Sequence, residues 1–130
     1  MLYYLLTSVV HHEQSYYLSF VDSTDTRYTI VRMDDSTGQV LGAVTRTVTV
    51  PRPYPMLTPV GTGLMLSIAA DKRVRVGWGP ADLSRDFPLL DVLDTAPVSG
   101  TEMMAVDSKH VVMLWQSDMT VKVAELTCGP

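Results

Sequence analysis

Leu64-Met65-Leu66-Ser67-Ile68-Ala69-Ala70-Asp71-Lys72-Arg73-Val74-Arg75-Val76-Gly77-Trp78 is the most informative stretch of this 130-residue chain. It opens with a run too short for a helix, Leu64–Ala69, that is apolar at every position but Ser67. Ala70-Asp71-Lys72 then breaks the run with a residue that bonds readily to the backbone ahead of it. From Arg73 to Val76 polar and apolar side chains strictly alternate, as they do in a strand buried on one face. Two strands joined by so short a break form an antiparallel hairpin.

The same pattern recurs on both sides. Upstream, Tyr16–Phe20 leads through an Asp-rich turn into Arg27–Met33. Downstream, Val111–Trp115 leads through Asp118 into Thr120–Leu126. Leu18, Leu66 and Met113 hold matching places and lie 48 and 47 residues apart. Further strands are expected at Leu2–Val10, Gln39–Val50 and Met103–Val106. The turn Asp34-Asp35-Ser36-Thr37-Gly38 supplies side-chain acceptors and a glycine able to take positive φ. Asp35, Gly38, Asp71 and Asp118 are therefore expected to be structural turn residues.

Two stretches interrupt the rhythm. Pro51-Arg52-Pro53-Tyr54-Pro55, with Pro59 beyond, cannot donate regularly to a ladder and reads as an extended linker. Pro80 to Pro97 has roughly helical spacing at Leu83, Phe87, Leu90 and Leu93. Pro88 lies inside it, so no more than one helical turn or an irregular strand is expected there.

A period of about 40–50 residues around a strand–Asp turn–strand core marks propeller blades. Leu64 to Trp78 resembles the paired central strands of a WD-repeat-like blade, and His110 to Leu126 repeats the theme. The resemblance is degenerate: no Gly-His dipeptide precedes a blade and no Trp-Asp pair ends one. It implies an all-β, antiparallel fold of roughly three blade-like repeats, at about 2–50, 56–94 and 98–127, forming one incomplete β-propeller. The alternative architecture is a small β-barrel or sandwich. Three blades fall short of the roughly 4–8 of a closed ring. The remaining blades would come from protein partners, from further chain or from self-association.

Composition narrows the classes. Apolar residues make up 46% and charged residues 18%, which argues against disorder and for apolar surface covered by something else. The net charge of −4, with Lys72-Arg73-Val74-Arg75 as the densest basic run, argues against nucleic-acid binding. One cysteine, Cys128, makes no internal disulfide, and a reducing interior, cytoplasmic or nuclear, is expected. The apolar run Met1–Val10 is far shorter than the roughly 20 residues of a membrane helix. It lacks the layout of a signal peptide and reads as a buried strand, with no membrane partner expected.

No catalytic constellation stands out, and neither an enzyme nor a cofactor is expected. His11-His12-Glu13 invites a metal, but neighbouring strand residues point to opposite faces. A turn explains them better, and no metal site is assigned. His110 reads as a strand-start residue. Asp22, Asp25, Asp34 and Asp35 lack the spacing of a calcium loop. Ser19, Ser67 and Ser99 lack a nucleophile elbow, and Gly61-Thr62-Gly63 is only a fragment of a phosphate loop. For partner binding, Tyr54, Trp78 and Trp115 are the candidates, since aromatics suit such contacts. The two tryptophans have packing between blades as their simpler role. The function expected is a non-catalytic propeller-type scaffold for protein–protein assembly in an intracellular complex. The alternative is an oligomeric propeller lectin binding carbohydrate between blades, and a propeller hydrolase ranks last.

Overall fold

A computed structural model describes residues 4–22, 27–48, 54–70, 72–94 and 96–127. Asp71, the turn 23–26, the segment 49–53 and Cys128 lie outside the described residues. The described chain is all-β and contains no helix. Eleven strands run in chain order: β1 (Tyr4–His12), β2 (Ser15–Asp22), β3 (Arg27–Asp34), β4 (Val40–Thr47), β5 (Tyr54–Val60), β6 (Gly63–Ala70), β7 (Arg73–Pro80), β8 (Leu90–Leu93), β9 (Val98–Ala105), β10 (His110–Ser117) and β11 (Thr120–Thr127).

They form three separate antiparallel meanders. The first sheet is β1-β2-β3-β4, the second β5-β6-β7-β8 and the third β9-β10-β11. Among the described residues no sheet closes on itself, so a single closed barrel is not formed. Leu18, Leu66 and Met113 are each the fourth residue of the second strand of their sheet. Each pairs with the fifth residue of the third strand: Val31, Gly77 and Ala124.

The expected linker through Pro55 and Pro59 is instead partly strand. β5 pairs with β6 from Tyr54↔Ala69 to Val60↔Gly63. The prolines are tolerated because of which way their nitrogens point. Leu57, two residues from each, turns its N–H away from β6, donating to Ser8 Oγ at 3.3 Å. Pro55 and Pro59 share that parity, so the donors they lack fall on the edge that no ladder uses. The segment after Pro80 contains no helix. Leu90–Leu93 is a short edge strand, while Leu83 and Phe87 fold back as buried residues over the first sheet-to-sheet contact.

Three hairpins whose loop residues are all described are two-residue loops closing on the pairs His12↔Ser15, Val60↔Gly63 and Ser117↔Thr120. In each, the first loop residue has positive φ: Glu13 at 55°, Gly61 at 59° and Asp118 at 55°. A glycine takes this conformation freely and an aspartate tolerates it, whereas a glutamate does so at a cost. Replacing Glu13 by Gly should therefore stabilise the chain by about 0.5–1 kcal/mol. Urea unfolding would show this as a raised midpoint at unchanged slope; a lowered midpoint would mean that this hairpin is not under strain.

The sheets stack in one direction. The odd positions of β2, Tyr17, Ser19 and Val21, point to the same side as Tyr28 and Ile30 of β3. This side meets Leu64, Leu66 and Ile68, the even positions of β6, with Leu57, Leu83 and Phe87. The odd positions of β6 carry Met65 and Ser67 on the other face, level with Val74 and Val76 of β7. That face meets Val111, Met113 and Trp115, the even positions of β10. Each sheet thus lays its odd face on the even face of the next. The middle sheet is buried on both sides, which explains why Leu64–Ala69 is apolar at every position but Ser67 instead of alternating.

Candidate docking faces

The two contacts between sheets share a polar detail. Ser19 and Ser67, each the fifth residue of its strand, are completely buried. The Ser19 hydroxyl lies 3.3 Å from the carbonyl of Pro55 and 2.8 Å from Thr7 Oγ1. Ser8 Oγ, at a bulge in β1, adds the bond from Leu57 N–H. Ser67 Oγ pairs with Thr101 Oγ1 of β9 at 2.9 Å. In both cases a second-strand serine reaches the first strand of the next sheet. Burying a hydroxyl costs free energy unless it is bonded, and each bridge ties one sheet to the next. The sequence showed these serines as isolated hydroxyls; their shared place in the repeat was the available signal.

Loops reinforce the stack. The Tyr17 hydroxyl donates to the Ala81 carbonyl at 2.6 Å, and Arg46 of β4 pairs with Asp86. Burial raises the Tyr17 phenol above its ordinary pKa, which keeps it a donor. Between the second and third sheets the anchor is Asp94, just after β8. Its carboxylate accepts from Lys122 Nζ at 2.7 Å, Trp115 Nε1 at 2.8 Å and the Ala96 amide at 3.2 Å. Lys122 foremost, then Trp115, hold this carboxyl well below the usual carboxylate range. No sequence motif pointed to Asp94, because its partners come from β10 and β11.

The expected turn residues are placed as follows. In the β3–β4 turn the central acceptor is Asp34. Its Oδ1 takes bonds from the Ser36 hydroxyl at 2.6 Å and from the Ser36 and Thr37 amides at 2.9 Å. These bonds, the Ser36 hydroxyl first, lower its pKa to about 2. Asp35 instead lies 2.9 Å from His11 Nε2, and Gly38 closes the turn with φ 71° and an amide bond to the Asp34 carbonyl. Asp118 takes the left-handed place in its hairpin, and its carbonyl accepts from Gln116 at 3.4 Å.

Of the aromatic candidates, Trp78 packs with Val60, Met65 and Val111 and donates to the Val60 carbonyl at 3.2 Å. Trp115 is buried against Val74 and Val76. Trp115 is thus spent inside the stack, whereas Trp78 is partly buried and also lines a cleft. Tyr54 is 41% exposed and lines a cleft of about 530 Å³ with Met56, Thr101 and Glu102. His110 caps its strand start through Asp107, whose Oδ1 accepts the His110 amide at 2.9 Å. Among the described residues no three His, Cys, Asp or Glu side chains converge as a metal site would require.

What the stack leaves uncovered are its two end faces. On the first sheet the even face carries Leu6, Val9, Tyr16, Leu18, Phe20 and Val31; Leu6, Val9 and Tyr16 are exposed. On the third sheet the odd face carries Met104, Val112, Leu114, Val121 and Val123. Val121 and Val123 are 67% and 61% exposed, yet they hold the register places of the buried pairs Tyr28/Ile30 and Val74/Val76. Apolar patches of this kind mark interaction surfaces. The chain matches no protein-family model, no curated protein and no solved structure. Among the described residues no helix is long and apolar enough to cross a membrane.

Proposed function

We propose that this chain is a non-catalytic, propeller-type scaffold for protein–protein assembly, in which three blade-like sheets form part of a ring. The observation that carries this reading is the one-way stack with an uncovered apolar face at each end. Such a stack covers its end faces only when further sheets follow. The allocation of reactive side chains supports a non-catalytic role. Ser19 and Ser67 are bonded inside sheet contacts, and Asp34, Asp94 and Asp107 hold turn amides.

The lectin reading has one feature in its favour, a cleft of about 530 Å³ lined by Trp78, Arg85, Asp86 and Leu90. The Trp78 N–H and the Asp86 carboxylate are already engaged within the chain. That leaves the cleft few polar groups to orient a sugar.

Native mass spectrometry of the protein recovered from its source cells tests the scaffold reading. The chain is expected in an assembly heavier than its own 14.4 kDa, and Val9→Glu and Val123→Glu should release it. Recovery of the unaltered chain as a free monomer that binds no apolar dye would overturn the proposal.

A further inference from the structure

We infer that the occupant of both end faces is a second copy of this chain, docked head to tail to close a six-sheet ring; this rests on the propeller-type reading above. The exposed even face of the first sheet and the exposed odd face of the third are the two halves of one kind of contact. The molecule already makes that contact twice, between its first and second and its second and third sheets. Val121 and Val123 would lie against Leu18 and its neighbours as Val74 and Val76 lie against Met113 and Trp115. Both halves sit on one chain, so two copies satisfy each other with no third component. Two copies give six sheets, within the roughly 4–8 of closed propellers, whereas three would exceed it. A head-to-tail contact yields a closed ring when its rotation closes.

One difference separates the new contact from the two inside the chain. Leu114, 40% exposed, stands where Ser19 and Ser67 make their bridges. The contact between copies is therefore apolar at its centre and has no serine bridge.

The test is light scattering on the purified full chain across a concentration series, with Val9→Glu and Val123→Glu beside it. Both substitutions sit at exposed positions, and circular dichroism would check that the strands persist. The expected result is a discrete dimer of twice 14.4 kDa, lost in each variant. Mixing the two variants should partly restore it, because that pair retains one unaltered contact. A symmetric face-to-face dimer would respond to one variant and ignore the other, which would overturn the head-to-tail arrangement. A trimer or larger species would overturn six-sheet closure. A monomer at every concentration would overturn self-association. If that monomer bound apolar dye less after either substitution, the scaffold reading would stand with a different chain as cover; if it bound none, both would fail.

Discussion

Leu66→Ala should cost about 3 kcal/mol, a large share of the roughly 5–15 kcal/mol that holds a domain of this kind together. Leu66 is completely buried in the central strand of the middle sheet. It packs in the cluster that joins Tyr17, Ile30, Leu57 and Phe87. Neighbours on both faces prevent collapse into the cavity, which puts the cost well above simple transfer of the lost carbons. The informative comparison is with the matching residues. Met113→Ala should cost a similar amount, since Met113 is also fully buried. Leu18→Ala, on an end face, should cost about 1 kcal/mol in an isolated chain. Urea unfolding measures all three. Should Leu66→Ala fall below about 1 kcal/mol, the middle sheet is not the double-sided core described above.

Loss of the Asp94 carboxylate should be the next most damaging change, with Asp94→Ala lowering Tm by roughly 5–10 °C. The Asp94 side chain is only 1% exposed, and its removal takes the acceptor from the indole N–H of the buried Trp115 and the ion-pair partner from Lys122. A donor left without its acceptor costs more than the bond itself contributed. The pH dependence has a definite sign. The folded carboxyl is depressed below its ordinary value of 3.8, so its contribution is fully present above that value. It is lost as pH falls through the depressed folded value. The Tm gap between Asp94→Asn and the unaltered chain should be widest above about pH 5 and narrow steadily below about pH 4. A gap that is constant down to pH 2 would show that the charge contributes nothing.

Much of the fold could be read from local pattern, because its repeating unit is a hairpin. The alternation in Arg73–Val76 and Thr120–Val123, and the matching places of Leu18, Leu66 and Met113, located the second and third strands of each sheet. β5 escaped because prolines mark a break in any rule that counts donors. Whether a proline breaks a ladder depends on which edge its nitrogen faces, and the spacing of four between Pro55 and Pro59 keeps both on one edge. β9 begins upstream of the strand read at Met103–Val106, at Val98, and runs through Gly100, which has φ 70° and sits opposite a shift in register. Leu83 and Phe87 have helical spacing by coincidence, and both are drawn down onto the first sheet contact. The candidate faces were invisible in the sequence. Val121 and Val74 are the same residue type at the same place in a hairpin. Only the count of sheets says which one ends the stack.

The prolines of β5 bear on aggregation. A strand edge with free amides recruits other strands, and a chain with apolar end faces is already prone to meet its own kind. Along its edge away from β6, β5 offers Pro55 and Pro59 in place of amides and engages Leu57 N–H with Ser8. Strand addition there would find little to bond to. The molecule can thus be sticky across its flat sides while this edge stays closed to amyloid-like growth.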